Sequence, residues 1–90
     1  MNTYIITYDL VQPGQNYESL LRKIKLYPQW ARLGGSCYVI FTTQKPVEIR
    51  ENLTSVLDVN DKLFVGKVSA PAAWFNLGSE VSNWLRDKLE

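Results

Sequence analysis

Ninety residues make one domain, because a chain this short does not divide into two hydrophobic cores. At 46% hydrophobic and 21% charged residues, with Gly and Pro at ordinary levels, the composition excludes a disordered tail or a fibrous repeat. The single cysteine, Cys37, excludes an internal disulfide framework, and the lack of histidine excludes imidazole-bound zinc and histidine-activated nucleophiles.

Any enzymatic site must therefore use carboxylates, hydroxyls, Lys or Arg, backbone groups, or a hard cation held by oxygen. The apolar run at residues 4–8 is too short for a signal peptide and has no basic region before it. Nothing approaches the roughly 20 apolar residues of a membrane span. The expectation is a protein of the reducing cytoplasm with no membrane partner. The net charge of +1 is unevenly spread: residues 1–45 carry Arg22, Lys23, Lys25, Arg32 and Lys45 against Asp9 and Glu18, while residues 46–90 carry five bases against seven acids. The basic half suggests a phosphate partner. The competing reading of Arg22, Lys23 and Lys25 is the wet face of a helix.

Residues 3–9, "TYIITYD", are rich in Tyr, Ile and Thr and predict a strand that is apolar on both faces, hence central. Asp9 closes it. "QPGQ" predicts a turn with glycine at positive φ, and Asn16 is the expected N-cap of a helix. Tyr17, Leu20, Leu21 and Ile24 form the apolar stripe of that helix, which Pro28 stops. Residues 30–33 and 36–43 predict a hairpin turning at Gly34-Gly35, its second strand, "CYVIF", also central. Pro46 opens a second helix with Ile49, Leu53, Val56 and Leu57 inward. "DVND" is a turn before a strand at 62–69, and Ser79 is the expected cap of a last helix striped by Val81, Trp84 and Leu85.

The order is βαββαβ with an additional C-terminal helix in an extension at about 74–90, an α+β ferredoxin-like sandwich in one domain. Right-handed crossovers place the first and third strands side by side at its centre. Two helices cover only one face of four strands. The other face needs the C-terminal segment, a second copy of the chain, or both, and a homodimer is the economical expectation.

Asp9 carries the chemical question. If two chains pack about a two-fold axis, paired Asp9 carboxylates can hold Mg²⁺ or Mn²⁺ and orient water for phosphodiester attack. The competing reading is an Asx-turn in which Asp9 accepts from its own following backbone. Arg32 and Ser36, beside the hairpin, can contact phosphate, or be a solvated strand residue and a turn residue. Cys37 reads as a small hydrophobe. Trp74, Phe75 and Trp84 can stack bases or pack as core.

Tyr8-Asp9-Leu10, Pro13-Gly14-Gln15-Asn16-Tyr17, "ARLGGSCYVIF", Asp58-Val59-Asn60-Asp61, Ala72-Ala73-Trp74 and Trp84 together resemble the small CRISPR-associated Cas-two type proteins. Among these they most resemble a stand-alone branch, the SinR family proteins. The resemblance implies a homodimer tied to CRISPR-like, mobile-element or phage-defence systems, with DNA, RNA or a protein as partner. It also implies two functional readings. One is a non-catalytic binding module. The other is a Mg²⁺-dependent endonuclease in which Asp9 is both metal ligand and catalytic residue and the hairpin contacts phosphate. The hairpin motif is only loosely echoed by Arg32, Ser36 and Phe41.

Overall fold

The computed structural model describes residues 1–11 and 13–89, and the side chains of residues 13–16 fall outside that description. The elements are β1 (Asn2–Asp9), α1 (Pro13–Lys25), β2 (Trp30–Gly34), β3 (Cys37–Thr42), α2 (Pro46–Thr54), β4 (Lys62–Val68) and α3 (Ser79–Lys88). They form an α+β domain around one antiparallel sheet ordered β2-β3-β1-β4, compatible with a ferredoxin-like class. β1 and β3 are central, with Ile6 opposite Tyr38 and Thr7 opposite Cys37. Strands apolar on both faces belong at the centre because each side then meets a covering layer.

Side-chain alternation assigns Tyr4, Ile6 and Tyr8 to one face, with Tyr38 and Ile40 of β3 beside them. Leu20 and Ile24 of α1 and Ile49 and Leu53 of α2 pack onto this face, and all four are fully buried. Burying each such side chain contributes about 1.5–3 kcal/mol before the entropy of ordering it is counted. The opposite face carries Ala31 and Val39, covered by Leu85 of α3 and flanked by Trp74, Leu77, Val81 and Trp84. The C-terminal segment is thus an occupant of the second face. Its end is tied down where the buried Thr3 hydroxyl donates to the Lys88 carbonyl at 2.8 Å.

Three local expectations shift. Helix α1 begins at Pro13, so Pro13, Gly14 and Gln15 lie in the helix instead of in a turn before it, Gln12 lies outside the described residues, and the Asn16 cap falls on side chains outside the description. The β2–β3 loop is Gly35-Ser36, because Gly34 already pairs with Cys37 across an irregularity after Arg32. Both glycines keep positive φ, 142° at Gly34 and 47° at Gly35, conformations that cost an L side chain energy. Gly78, not Ser79, precedes the first residue of α3, and no side chain caps that helix. Among the described residues, no helix is long and apolar enough to cross a membrane.

Candidate functional site

Asp9 ends β1 on the face that α3 partly covers, and it is exposed. Its cross-strand partner in β4 is Lys62, so a cation, not a second carboxylate, stands opposite it. Thr7, Asp9, Lys62 and Phe64 line an open hollow of about 230 Å³ at this corner. Phe64 is 62% exposed there, on the edge strand. The hollow is where α3 no longer reaches.

The Asx-turn is not what holds the following loop. The Val11 amide donates to Asp61 Oδ1 at 2.8 Å, and the Asp58 amide donates to Asp61 Oδ2 at 2.9 Å. Asp61 therefore staples the β1–α1 loop to the turn before β4. Asp9 makes no hydrogen bond or ion pair among the described residues. One carboxylate facing a lysine does not make a hard-cation site within a single chain, since such ions take several oxygen ligands. Among the described residues there is no group of three or more metal-ligating acids or thiols.

The predicted phosphate contacts divide between surfaces. Arg32 pairs with Tyr38 and so lies on the helix-covered face, opposite to Asp9. Its Nη2 donates to the Gly35 carbonyl at 3.2 Å, closing the hairpin. Ser36 is exposed, and its carbonyl accepts from the Tyr8 amide at 3.2 Å, which ties the hairpin to the end of β1. Lys25 Nζ stands 5.2 Å from the ring centre of Trp30, two residues along β2 from Arg32 and so on the same side of the strand. Arg22 is exposed on α1, whereas Lys23 turns toward α2 and donates to Asn52 Oδ1 at 3.3 Å. Lys25, Trp30 and Arg32 thus form a cation–aromatic–cation row along the β2 edge, with Arg22 and Ser36 outside it.

Beneath this edge lies a tyrosine cluster that the sequence pattern did not single out. The Tyr8 and Tyr17 rings are 6.3 Å apart, and among the described residues the buried Tyr8 hydroxyl meets no partner at full hydrogen-bond geometry, the Tyr17 hydroxyl being the group that acts on it. Burial pushes the Tyr8 hydroxyl far above the ordinary tyrosine range, Tyr17 and Tyr38 add to this, and Arg32 opposes it. Burial likewise raises the Cys37 thiol, which leaves less thiolate for reaction.

Of the aromatics, Trp74 and Trp84 pack against the α3 core, and Trp74 Nε1 donates to Ser82 Oγ at 3.0 Å. Phe75 is 91% exposed. A second polar constellation joins the two helices: Asn52 Nδ2 donates to the Tyr27 hydroxyl at 3.1 Å, which donates to Gln44 Oε1 at 2.7 Å. Nothing in the local pattern marks Asn52, Tyr27 or Gln44; only the neighbouring Lys23 stands out, as a charge. Compared with protein-family models and with curated proteins, the chain matches none.

Proposed function

We propose that this protein is a ferredoxin-like, Cas-two-like nucleic-acid-binding module that acts without catalysis and works as a homodimer in a defence or mobile-element setting. The observation that supports the reading best is the Lys25–Trp30–Arg32 row on the exposed β2 edge. Cations along an edge neutralise phosphates, and a half-exposed indole between them offers a face on which a base stacks. The homodimer rests on the resemblance and on the corner of the second face that α3 leaves open around Thr7, Asp9 and Phe64.

A second reading has its own observation. Asp9 is an exposed carboxylate with no partner among the described residues, free for a metal-dependent endonuclease if a second copy brings another Asp9 beside it.

The test is fluorescence anisotropy with labelled single- and double-stranded DNA and RNA over a salt series. Trp30→Ala should cost about 1–3 kcal/mol of binding. The Lys25→Ala/Arg32→Ala pair should lower the salt slope by about two. Absence of binding by folded protein at low salt sinks the module reading. The same mixtures incubated with Mg²⁺, Mn²⁺ or EDTA decide the second reading: metal-dependent cutting lost in Asp9→Ala would establish it.

A further inference from the structure

Where α1 ends against α2, the chain carries an open hollow of about 370 Å³ that neither functional reading uses. Lys23 enters it from α1, Asn52 from α2, and Thr43 and Gln44 from the loop between β3 and α2. Tyr27 and Leu26, at the end of α1, form part of its wall, and Leu26 is 76% exposed. The cavity lies on the opposite side of α1 from the Lys25–Trp30 contact, because Lys23 reaches α2 while Lys25 reaches β2.

The polar atoms are connected in one chain. Lys23 Nζ donates to Asn52 Oδ1, Asn52 Nδ2 donates to the Tyr27 hydroxyl, and that hydroxyl donates to Gln44 Oε1. Each link uses up an acceptor and leaves donors over. Lys23 keeps two N–H groups, Gln44 keeps both amide N–H groups, Asn52 keeps one, and the Thr43 hydroxyl makes no hydrogen bond among the described residues. No carboxylate lines the cavity, and the half-buried Lys23 has no ion-pair partner among the described residues. Glu48, whose charge helps to raise the Tyr27 hydroxyl, is exposed and accepts from the Lys45 amide at 2.7 Å. A tie serving only to join two helices would be complete with Asn52 and Tyr27. The spare donors, on exposed Thr43 and half-buried Lys23, Gln44 and Asn52, face the open hollow, where water satisfies them until a ligand displaces it.

We infer that this cavity binds a phosphate monoester. The Lys23 ammonium supplies the countercharge, the Gln44 and Asn52 amides and the Thr43 hydroxyl donate to the oxygens, and Leu26 meets the organic part. A single ammonium with neutral donors is a common way to hold phosphate as a point charge. The volume falls at the small end of ligand pockets, larger than a bare phosphate needs and suited to a body of mononucleotide size. The site is independent of the β2 edge. The phosphate can belong to a free mononucleotide or to the 5′ end of a nucleic-acid strand.

The experiment is a two-dimensional amide NMR titration of the full chain with inorganic phosphate, with AMP, and with short oligonucleotides bearing a 5′-phosphate or a 5′-hydroxyl. The expected result is saturable shifts at Thr43, Gln44 and Asn52 with AMP. Affinity should fall about tenfold or more in Lys23→Gln, through loss of a charge-assisted contact. It should be largely kept in Lys23→Arg, and unchanged in Lys67→Gln on β4, which guards against a general loss of positive charge. Trp30→Ala should leave AMP binding intact, so failure of the β2-edge reading and failure of this one remain distinguishable. Competition by the 5′-phosphorylated strand alone assigns the phosphate to strand ends, and no competition by either strand assigns it to free mononucleotides. No saturable shift at millimolar AMP or phosphate, or equal affinity in wild type and Lys23→Gln, overturns the inference.

Discussion

The two faces of the sheet solve the same burial problem to different depths. On one, Ile6 and Ile40 meet Leu20, Ile24, Ile49 and Leu53, and none of the six has measurable exposure. On the other, α3 buries Val39 and Leu85 but leaves half-buried Ile5, Leu33 and Trp84 around them, and it stops short of Thr7, Asp9 and Phe64. A face closed by two helices is core and has little freedom to do anything else. A face closed by one late helix keeps an uncovered corner, and the exposed Asp9 carboxylate sits in that corner.

Paired truncations separate the faces most strongly. Ile49→Ala should cost about 3–5 kcal/mol, because its surroundings are packed on every side and cannot collapse into the void. Leu85→Ala should cost about 2 kcal/mol, the low end for such a change, since the thinner α3 layer can settle onto Ala31 and Val39. Urea denaturation of both variants reads the difference. Equal losses would mean that α3 is as integral to the fold as α1 and α2, and that the two faces form one cooperative core.

The two acids at the end of β1 allow a finer comparison. Asp61 holds two backbone amides from two different loops, and Asp61→Ala should lower stability by about 2 kcal/mol. Asp9→Ala should change it by less than about 0.5 kcal/mol, as expected for an exposed side chain without partners among the described residues. Thermal melts decide, and the reverse ranking would make Asp9 the structural residue.

That reversal of roles shows what the sequence can and cannot convey. The central strands were readable because alternation along one segment reports how both its faces are covered, and "YIITY" and "YVI" are apolar on both. The α1 stripe was readable for the same local reason, and so was the α2 stripe at Ile49 and Leu53, whereas Val56 and Leu57 fall beyond the helix, which ends at Thr54, and pack against the core from the turn that follows. The hairpin was readable to within one residue: either glycine can take positive φ, and only the pairing of Gly34 with Cys37 places the loop at Gly35-Ser36. Asp61 was read as turn chemistry alone because its second partner, Val11, lies fifty residues away. The separation of Asp9 and Arg32 onto opposite faces is likewise a matter of register between strands, which no local pattern records. The Lys23–Asn52–Tyr27–Gln44 chain joins positions from three elements, and of these only Lys23 stood out as a charge.

A gain in stability, smaller than the losses at Ile49, Leu85 and Asp61, is expected at the tyrosines beneath the β2 edge. Among the described residues the buried Tyr8 hydroxyl meets no partner at full hydrogen-bond geometry, and the Tyr17 hydroxyl beside it replaces only part of the water it lost on folding. Tyr8→Phe keeps the ring and its contact with Tyr17 while removing that unmet group, and it should raise stability by about 1 kcal/mol. The pH dependence gives an independent reading. Burial raises Tyr8, Tyr27 and Tyr38 above their ordinary value of 10.0. Stability from keeping them neutral is whole below pH 10 and is lost as pH climbs from there through the raised values, because the unfolded chain gives up these protons first. Each such group steepens the loss by up to about 1.4 kcal/mol per pH unit. Tyr8→Phe removes one of them, so its advantage over the wild type should widen between pH 10 and 11. An advantage that stays constant, or a Phe variant less stable at neutral pH, would show that the Tyr8 hydroxyl finds a partner in solution and that this part of the core is not the dry counterpart of the open face.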